Sequence, residues 1–160
     1  MFDLRTALPF LLNRTGIRVA GLFEANELGP HAVTLPMYRV LATLANHDDQ
    51  RLGDLAALTD MEVSTLSRLI GTMQSRRLVS RRRSGKDARA VRIRISDQGR
   101  SLAQKLIATA THYEAALTRR LQPRQLQELR RVLAQIDENV STLAEDGEGK
   151  AKTARRASAA

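Results

Sequence analysis

Ser64, Thr65, Ser67 and Arg68 place three hydroxyls and a guanidinium within five positions. A hydroxyl both donates and accepts, and a guanidinium presents a fixed fork of donors. That set suits base edges and phosphate oxygens better than bond-breaking chemistry. A ribbon dense in cations follows over residues 80–96, with Arg81, Arg82, Arg83, Lys86, Arg89, Arg92 and Arg94. From Arg76 to Arg100 there are ten basic residues against two acidic ones, an imbalance that calls for a polyanion. Either half alone is weak; a helix pair beside a basic ribbon makes DNA the leading partner. The remaining chemistry is sparse. No glycine-rich phosphate loop, nucleophile elbow or paired-carboxylate arrangement is present, so no enzyme is expected. The absence of cysteine excludes disulfides, thiol switches and cysteine-ligated zinc. His31, His47 and His112 lack metal-ligand spacing, so neither metal nor cofactor is expected.

The elements that must carry these residues are mostly helical. Leu8, Leu11, Leu12, Val19, Leu22 and Phe23 recur at helical spacing between Thr6 and Leu28, and Gly29-Pro30 breaks that helix. Thr34 is positioned to cap a second helix, with Pro36 in its first turn. A short helix over 52–58 has Asp54 at its positive end, a turn spans Thr59 to Glu62, and a further helix covers 63–75. Leu66, Leu69, Ile70 and Met73 form the buried stripe of that last helix, leaving the hydroxyls and Arg68 on other faces. Leu78-Val79 opens a hairpin with a Ser84–Asp87 tip. In its return strand Val91, Ile93 and Ile95 alternate with Arg92, Arg94 and Ser96. A long helix is predicted over about 100–121. A last one starts at Pro123, where Leu126, Leu129, Leu133, Ile136, Val140 and Leu143 keep a heptad seam that favours a subunit interface.

Charge follows this order. The 160 residues carry a net +9, yet residues 1–50 hold four basic and five acidic groups, whereas residues 51–100 hold twelve and five. With 42% hydrophobic and only 3% aromatic content, the core must be aliphatic. No apolar run is long enough for a bilayer and the N-terminus has no secretion-signal pattern, so a cytoplasmic protein without membrane contact is expected. Small and charged residues dominate after Asp146, predicting a disordered tail over 146–160.

Several of these residues fall in one recognisable order. They are Thr34-Leu35-Pro36-Met37-Tyr38-Arg39-Val40-Leu41, Asp54-Leu55-Ala56 through Leu78-Val79, Arg82, Arg83, Asp87-Ala88-Arg89, Ala90-Val91 and Ser96-Asp97-Gln98-Gly99-Arg100. In that order and spacing the chain resembles the MarR (multiple antibiotic resistance regulator) family over nearly its whole length. Three positions depart from the family pattern. Asp60 stands where a turn glycine is usual, Glu62 where a Ser-like cap is usual, and Arg77 where a glycine often ends the helix.

The resemblance implies a mainly α fold with a small β-hairpin wing: a winged helix-turn-helix over 35–99, with dimerisation helices over 1–34 and 100–145. It implies a homodimer on a pseudo-palindromic duplex, with recognition helices about one helical turn apart. Ser64, Thr65, Ser67 and Arg68 would then read the major groove and Arg89 the minor groove. Arg81, Arg82, Arg83, Lys86, Arg92 and Arg94 would hold phosphates. Asp87 would either aim a neighbouring arginine or serve as a turn residue. The family's usual mode is repression, relieved when a small phenolic or aromatic carboxylic acid binds between the dimerisation helices and the winged module. Arg18, His31, Tyr38 and Arg39 are the candidate ligand contacts, with Phe10 and Phe23 as an apolar wall. Two other readings stay open. One is an architectural protein that binds DNA without sequence preference through the basic wing and tail. The other is a protein-interaction module built on the heptad helix.

Overall fold

The computed structural model describes residues 3–83 and 91–157. It divides into two compact units, residues 1–114 and 115–160.

The first unit is built from helices closed by a small sheet. A 3-10 turn, Leu4–Thr6, leads into α1 (Leu8–Phe23), which continues as a wide π-helical segment over Glu24–Leu28 and a 3-10 turn over Gly29–His31. Thr34 caps α2 (Leu35–Asn46) by accepting the Met37 amide at 3.4 Å, and Pro36 lies in the first turn, where no amide partner is needed. Next come β1 (Gln50–Arg51), α3 (Leu52–Thr59), α4 (Val63–Ser75), β2 (Val79–Arg83), β3 (Val91–Ile95) and α5 (Asp97–Thr118). The core is aliphatic. Leu28, Val40, Leu41, Leu44, Leu55, Leu66, Ile70, Met73, Ile93 and Leu106 are fully buried, drawn from α2, α3, α4, β3, α5 and the π segment. Phe23, Tyr38 and Tyr113 add an aromatic cluster, with Phe23 5.3 Å from Tyr38 edge-on and 5.0 Å from Tyr113. Tyr113 also donates its hydroxyl to the Val19 carbonyl at 2.8 Å, tying α5 to α1.

Two backbone reversals fix the helix pair. Asp60 ends α3 at φ 52, with the Met61 amide reaching back to the Ala56 carbonyl at 3.0 Å. Arg77 ends α4 at φ 57, with the Leu78 amide on the Met73 carbonyl at 3.0 Å and the Arg77 amide on the Gln74 carbonyl at 2.9 Å. This double closure of the helix end normally takes glycine, yet an aspartate and an arginine occupy the left-handed positions here.

The sheet is antiparallel with order β1-β3-β2. Val79 pairs with Ile95, Arg81 with Ile93 and Arg83 with Val91; Ser80 pairs with Arg94 and Arg82 with Arg92. Directly opposed residues share a face, so Arg81 lies on the side of the buried Val79, Ile93 and Ile95, and Ser80, Arg82, Arg92 and Arg94 on the outer side. β1 is absent from the sequence reading because two residues leave no alternation to detect.

The second unit contains the end of α5 and α6 (Pro123–Ala157). The seam predicted along α6 lies in one continuous helix, and Leu129, Leu133, Val140 and Leu143 are exposed in the single chain. The helix runs on through residues 146–157, where composition predicts a disordered tail. Ala, Lys, Glu and Arg supply high helix propensity there, which the low hydrophobicity of that stretch obscured. The helix predicted to start at Arg100 begins earlier, at Asp97. Ser96 caps it by accepting the Gly99 amide at 2.9 Å.

Candidate nucleic-acid interface

α4 presents its polar face clear of the core. Ser64, Thr65 and Arg68 are exposed, as are Gly71 and Thr72 one turn further on, whereas Leu66, Ile70 and Met73 point inward. The N-terminus of α4 is capped by Glu62. Its carboxylate accepts the Thr65 amide at 3.0 Å and the Ser64 hydroxyl. Glu62 thus does the work that a hydroxyl cap would do, and as an anion it also suits the positive end of the helix. The Ser64 hydroxyl, then the Thr65 amide and more weakly the Arg68 charge, hold its carboxyl below the usual range. In this structure Ser64 is therefore committed to the cap.

Ser67 is half-buried and faces the wing rather than open solvent. Arg81, on the inner side of β2, extends across to α4 and donates to the Ser67 carbonyl, with the Ser67 hydroxyl at 3.4 Å. Arg81 therefore links the wing to the middle of α4. The register explains this, because Arg81 shares a face with Ile93.

On the outer face Arg82 and Arg92 are directly opposed, a like-charge pairing that costs stability unless an anion intervenes. Asp49 is that anion. Its carboxylate lies 3.0 Å from Arg92 Nε, off the line of a good hydrogen bond, and the other end of the guanidinium donates to the Asp49 carbonyl. The Arg92 guanidinium beside it, and more weakly Arg94 and Arg82, hold the Asp49 carboxyl below its ordinary value, and Asp49 raises Arg92 in return. Asp49 itself sits at φ 59. The neighbouring Asp48 accepts the Ile95 amide at 2.9 Å and pairs with Arg100 at 3.0 Å. Two adjacent aspartates thus clasp the base of the wing. They appear in the sequence only as the end of α2, since their partners lie more than forty residues away.

Arg82 and Arg94 remain exposed, with no ion-pair partner among the described residues. Arg83 closes β2 opposite Val91. Lys86, Asp87 and Arg89 lie outside the described residues. Arg76, at the end of α4, donates to the Ala32 carbonyl and, at 3.3 Å, to the His31 carbonyl, so it braces the turn before α2.

The candidate ligand residues separate. Tyr38 and Arg39 line a cleft of about 400 Å³ with Ala42, Thr43, Leu58, Thr59 and Asp60. Burial pushes the Tyr38 hydroxyl above its usual range. Neither Arg18 nor His31 lines it; Arg18 is exposed on α1, and His31 is exposed in the turn braced by Arg76. Phe23 packs on Tyr38, whereas Phe10 lies under the Arg14 guanidinium at 5.5 Å. Among the described residues no three His, Asp or Glu side chains gather where a metal could sit, and no helix is long and apolar enough to cross a membrane.

This arrangement is shared with solved structures. The chain superposes on a MarR-family transcriptional regulator from Silicibacter pomeroyi at a TM-score of 0.72, with 28% identity over 85% of this chain and 98% of that one. It has the winged helix-turn-helix fold of MarR-family transcriptional regulators. The transcriptional repressor CouR, solved on a 23-mer DNA duplex, matches it at a TM-score of 0.75, with 26% identity over 86% of this chain and 96% of that one. A family model described as transcriptional regulator SarA/Rot matches residues 28–106, from the end of the π segment into α5. The HTH-type transcriptional regulator YsmB of Bacillus subtilis is 31% identical over 86 residues, 54% of this chain and 59% of YsmB, so the chain spans less than two thirds of that relative.

Proposed function

We propose that this protein is a dimeric, sequence-specific repressor of the MarR family that reads duplex DNA with α4 and grips it with the wing. The observation that carries this reading is the solvent-facing side of α4, where Thr65, Arg68, Gly71 and Thr72 are exposed next to the cationic outer face of β2 and β3. Thr65 and Arg68 contact base edges. Ser64 and Ser67 contribute by holding the helix end and the wing, and Arg82 and Arg94 take phosphates. Arg83, Lys86 and Arg89 extend the cationic surface, Arg89 in the minor groove with Asp87 aiming it. The exposed seam of α6 joins two copies, so two reading heads meet a pseudo-palindrome about one helical turn apart. A small aromatic carboxylate in the Tyr38–Arg39 cleft releases the DNA by favouring another spacing of the heads.

The test is binding of the full chain to the region upstream of its own gene, against random duplex and across salt. A regulator prefers its operator by about a thousandfold or more. Arg82 and Arg94 from two copies neutralise about four phosphates, which gives a log–log salt slope of about −4 or steeper. Equal affinity for random duplex would favour the architectural reading instead, and an affinity independent of salt would remove DNA as the partner.

A further inference from the structure

The Tyr38–Arg39 cleft carries two opposite charges, and only one of them belongs to the ligand reading above. On one wall, α2 supplies Tyr38, Arg39, Ala42 and Thr43; on the other, the end of α3 supplies Leu58, Thr59 and Asp60. Arg39 and Asp60 are both exposed, and neither is in an ion pair among the described residues. A guanidinium and a carboxylate lining one cleft without neutralising each other are complementary to a molecule that carries both charges itself.

The backbone fixes where Asp60 stands. It adopts φ 52 as the residue that closes α3, which holds its carboxylate beside the cleft. The other lining groups fit the same ligand. Leu58 stands 56% exposed at the cleft and offers an apolar wall without a partner. The Thr43 hydroxyl is a neutral polar group, whereas the Thr59 hydroxyl is already spent on the Leu55 carbonyl at 2.6 Å. The volume of about 400 Å³ suits a small molecule.

We infer that this cleft binds a small zwitterion, an α-amino acid with an apolar or aromatic side chain. Its carboxylate is held by Arg39, its ammonium by Asp60, and its side chain lies against Leu58 and the Tyr38 ring. This deepens the proposed ligand response and rests on it. A purely anionic aromatic acid satisfies Arg39 but meets repulsion from Asp60, whereas an amino acid satisfies both. The consequence for DNA is direct, because Asp60 lies two residues before the Glu62 cap of α4. A ligand spanning Arg39 and Asp60 fixes the separation between α2 and the turn that aims α4.

Calorimetric titration of the full chain with L-phenylalanine and L-leucine tests this, with 3-phenylpropanoate (no ammonium) and phenethylamine (no carboxylate) as single-charge controls. At least one amino acid is expected to bind about tenfold or more tighter than either control, the scale of one charge-assisted hydrogen bond. Asp60→Asn, which keeps a residue tolerant of the left-handed turn, is expected to bring the amino acid down to the level of 3-phenylpropanoate. Arg39→Gln is expected to bring it down to the level of phenethylamine. Equal binding of 3-phenylpropanoate and the amino acids, or full affinity in Asp60→Asn, overturns the zwitterion and leaves an aromatic-acid site standing. No binding by any of the four probes at millimolar concentration overturns both ligand readings. Operator binding by the unliganded protein is scored separately, and its loss would refute the regulator reading whatever the cleft holds.

Discussion

Gly99 makes the sharpest prediction about what holds the wing in place. A Cβ built there stands 2.0 Å from the Leu78 carbonyl oxygen and 3.0 Å from Ile95 Cγ1, where ordinary contact begins at about 3.4 Å. To admit a methyl group, the start of the wing must retreat from α5 by more than an ångström. It cannot do so freely, because the same carbonyl accepts the Ser96 amide at 3.0 Å and the Ser96 hydroxyl at 3.0 Å. Overpacking costs about 1–3 kcal/mol, and loosening hydrogen bonds worth about 1 kcal/mol each puts Gly99→Ala near 3–4 kcal/mol. For a chain of this size that is a fall in Tm of roughly 10 °C. Gly71→Ala is the matched control. No atom lies within 4 Å of its added Cβ, so the helix-propensity gain of up to about 1 kcal/mol stands alone and Tm should rise by a few degrees. Thermal unfolding followed by circular dichroism measures both. A Gly99→Ala variant melting within about 2 °C of the natural protein would refute the account of how β2 seats on α5.

Other perturbations separate anchoring arginines from phosphate contacts. Arg82→Ala should make the salt slope of operator binding shallower by about 2 for a dimer; Arg81→Ala should leave the slope unchanged while amide exchange in β2 accelerates. A changed slope with unchanged exchange would return Arg81 to the phosphate set. Arg77→Gly relieves a left-handed arginine and should stabilise the fold by about 1 kcal/mol in urea denaturation. The Asp49 carboxyl is held below its ordinary value, chiefly by the Arg92 guanidinium beside it, so it contributes stability that is present near neutrality and lost as pH falls below about 4. Asp49→Asn should therefore flatten the acid limb of the stability–pH curve, and an unaltered limb would show that the clasp is not what titrates.

The helix pair was legible because its signals are local. Thr34 before Leu35-Pro36, the 3.6-residue stripe of α4 and the alternation of β3 each fit within a dozen residues, and α4 has the limits its pattern predicts. The family resemblance rested on the same local order. The site proved less legible wherever its meaning depends on distant partners. Arg81 and Arg92 look identical to Arg82 and Arg94 in a basic ribbon. Strand register and Asp49 assign the first two to struts. Ser64 and Ser67 look like reading hydroxyls until Glu62 and Arg81 occupy them. Tyr38 and Arg39 do share a cleft, but the residues facing them come from α3, twenty positions away, and Asp60 showed in the sequence only as a poor substitute for glycine.

One property of how the reading head is braced bears on how such a protein changes its target. Arg76, Arg81, Arg92 and Arg100 all end on backbone carbonyl oxygens, those of Ala32, Ser67, Asp49 and Ala45. A carbonyl is present whatever side chain its residue carries. Substitution at Ser67 or along the outward face of α4 therefore leaves the Arg81 strut an acceptor. The scaffold holds its geometry without constraining the letters written on it, so operator preference can drift by point mutation while the reading head keeps its shape.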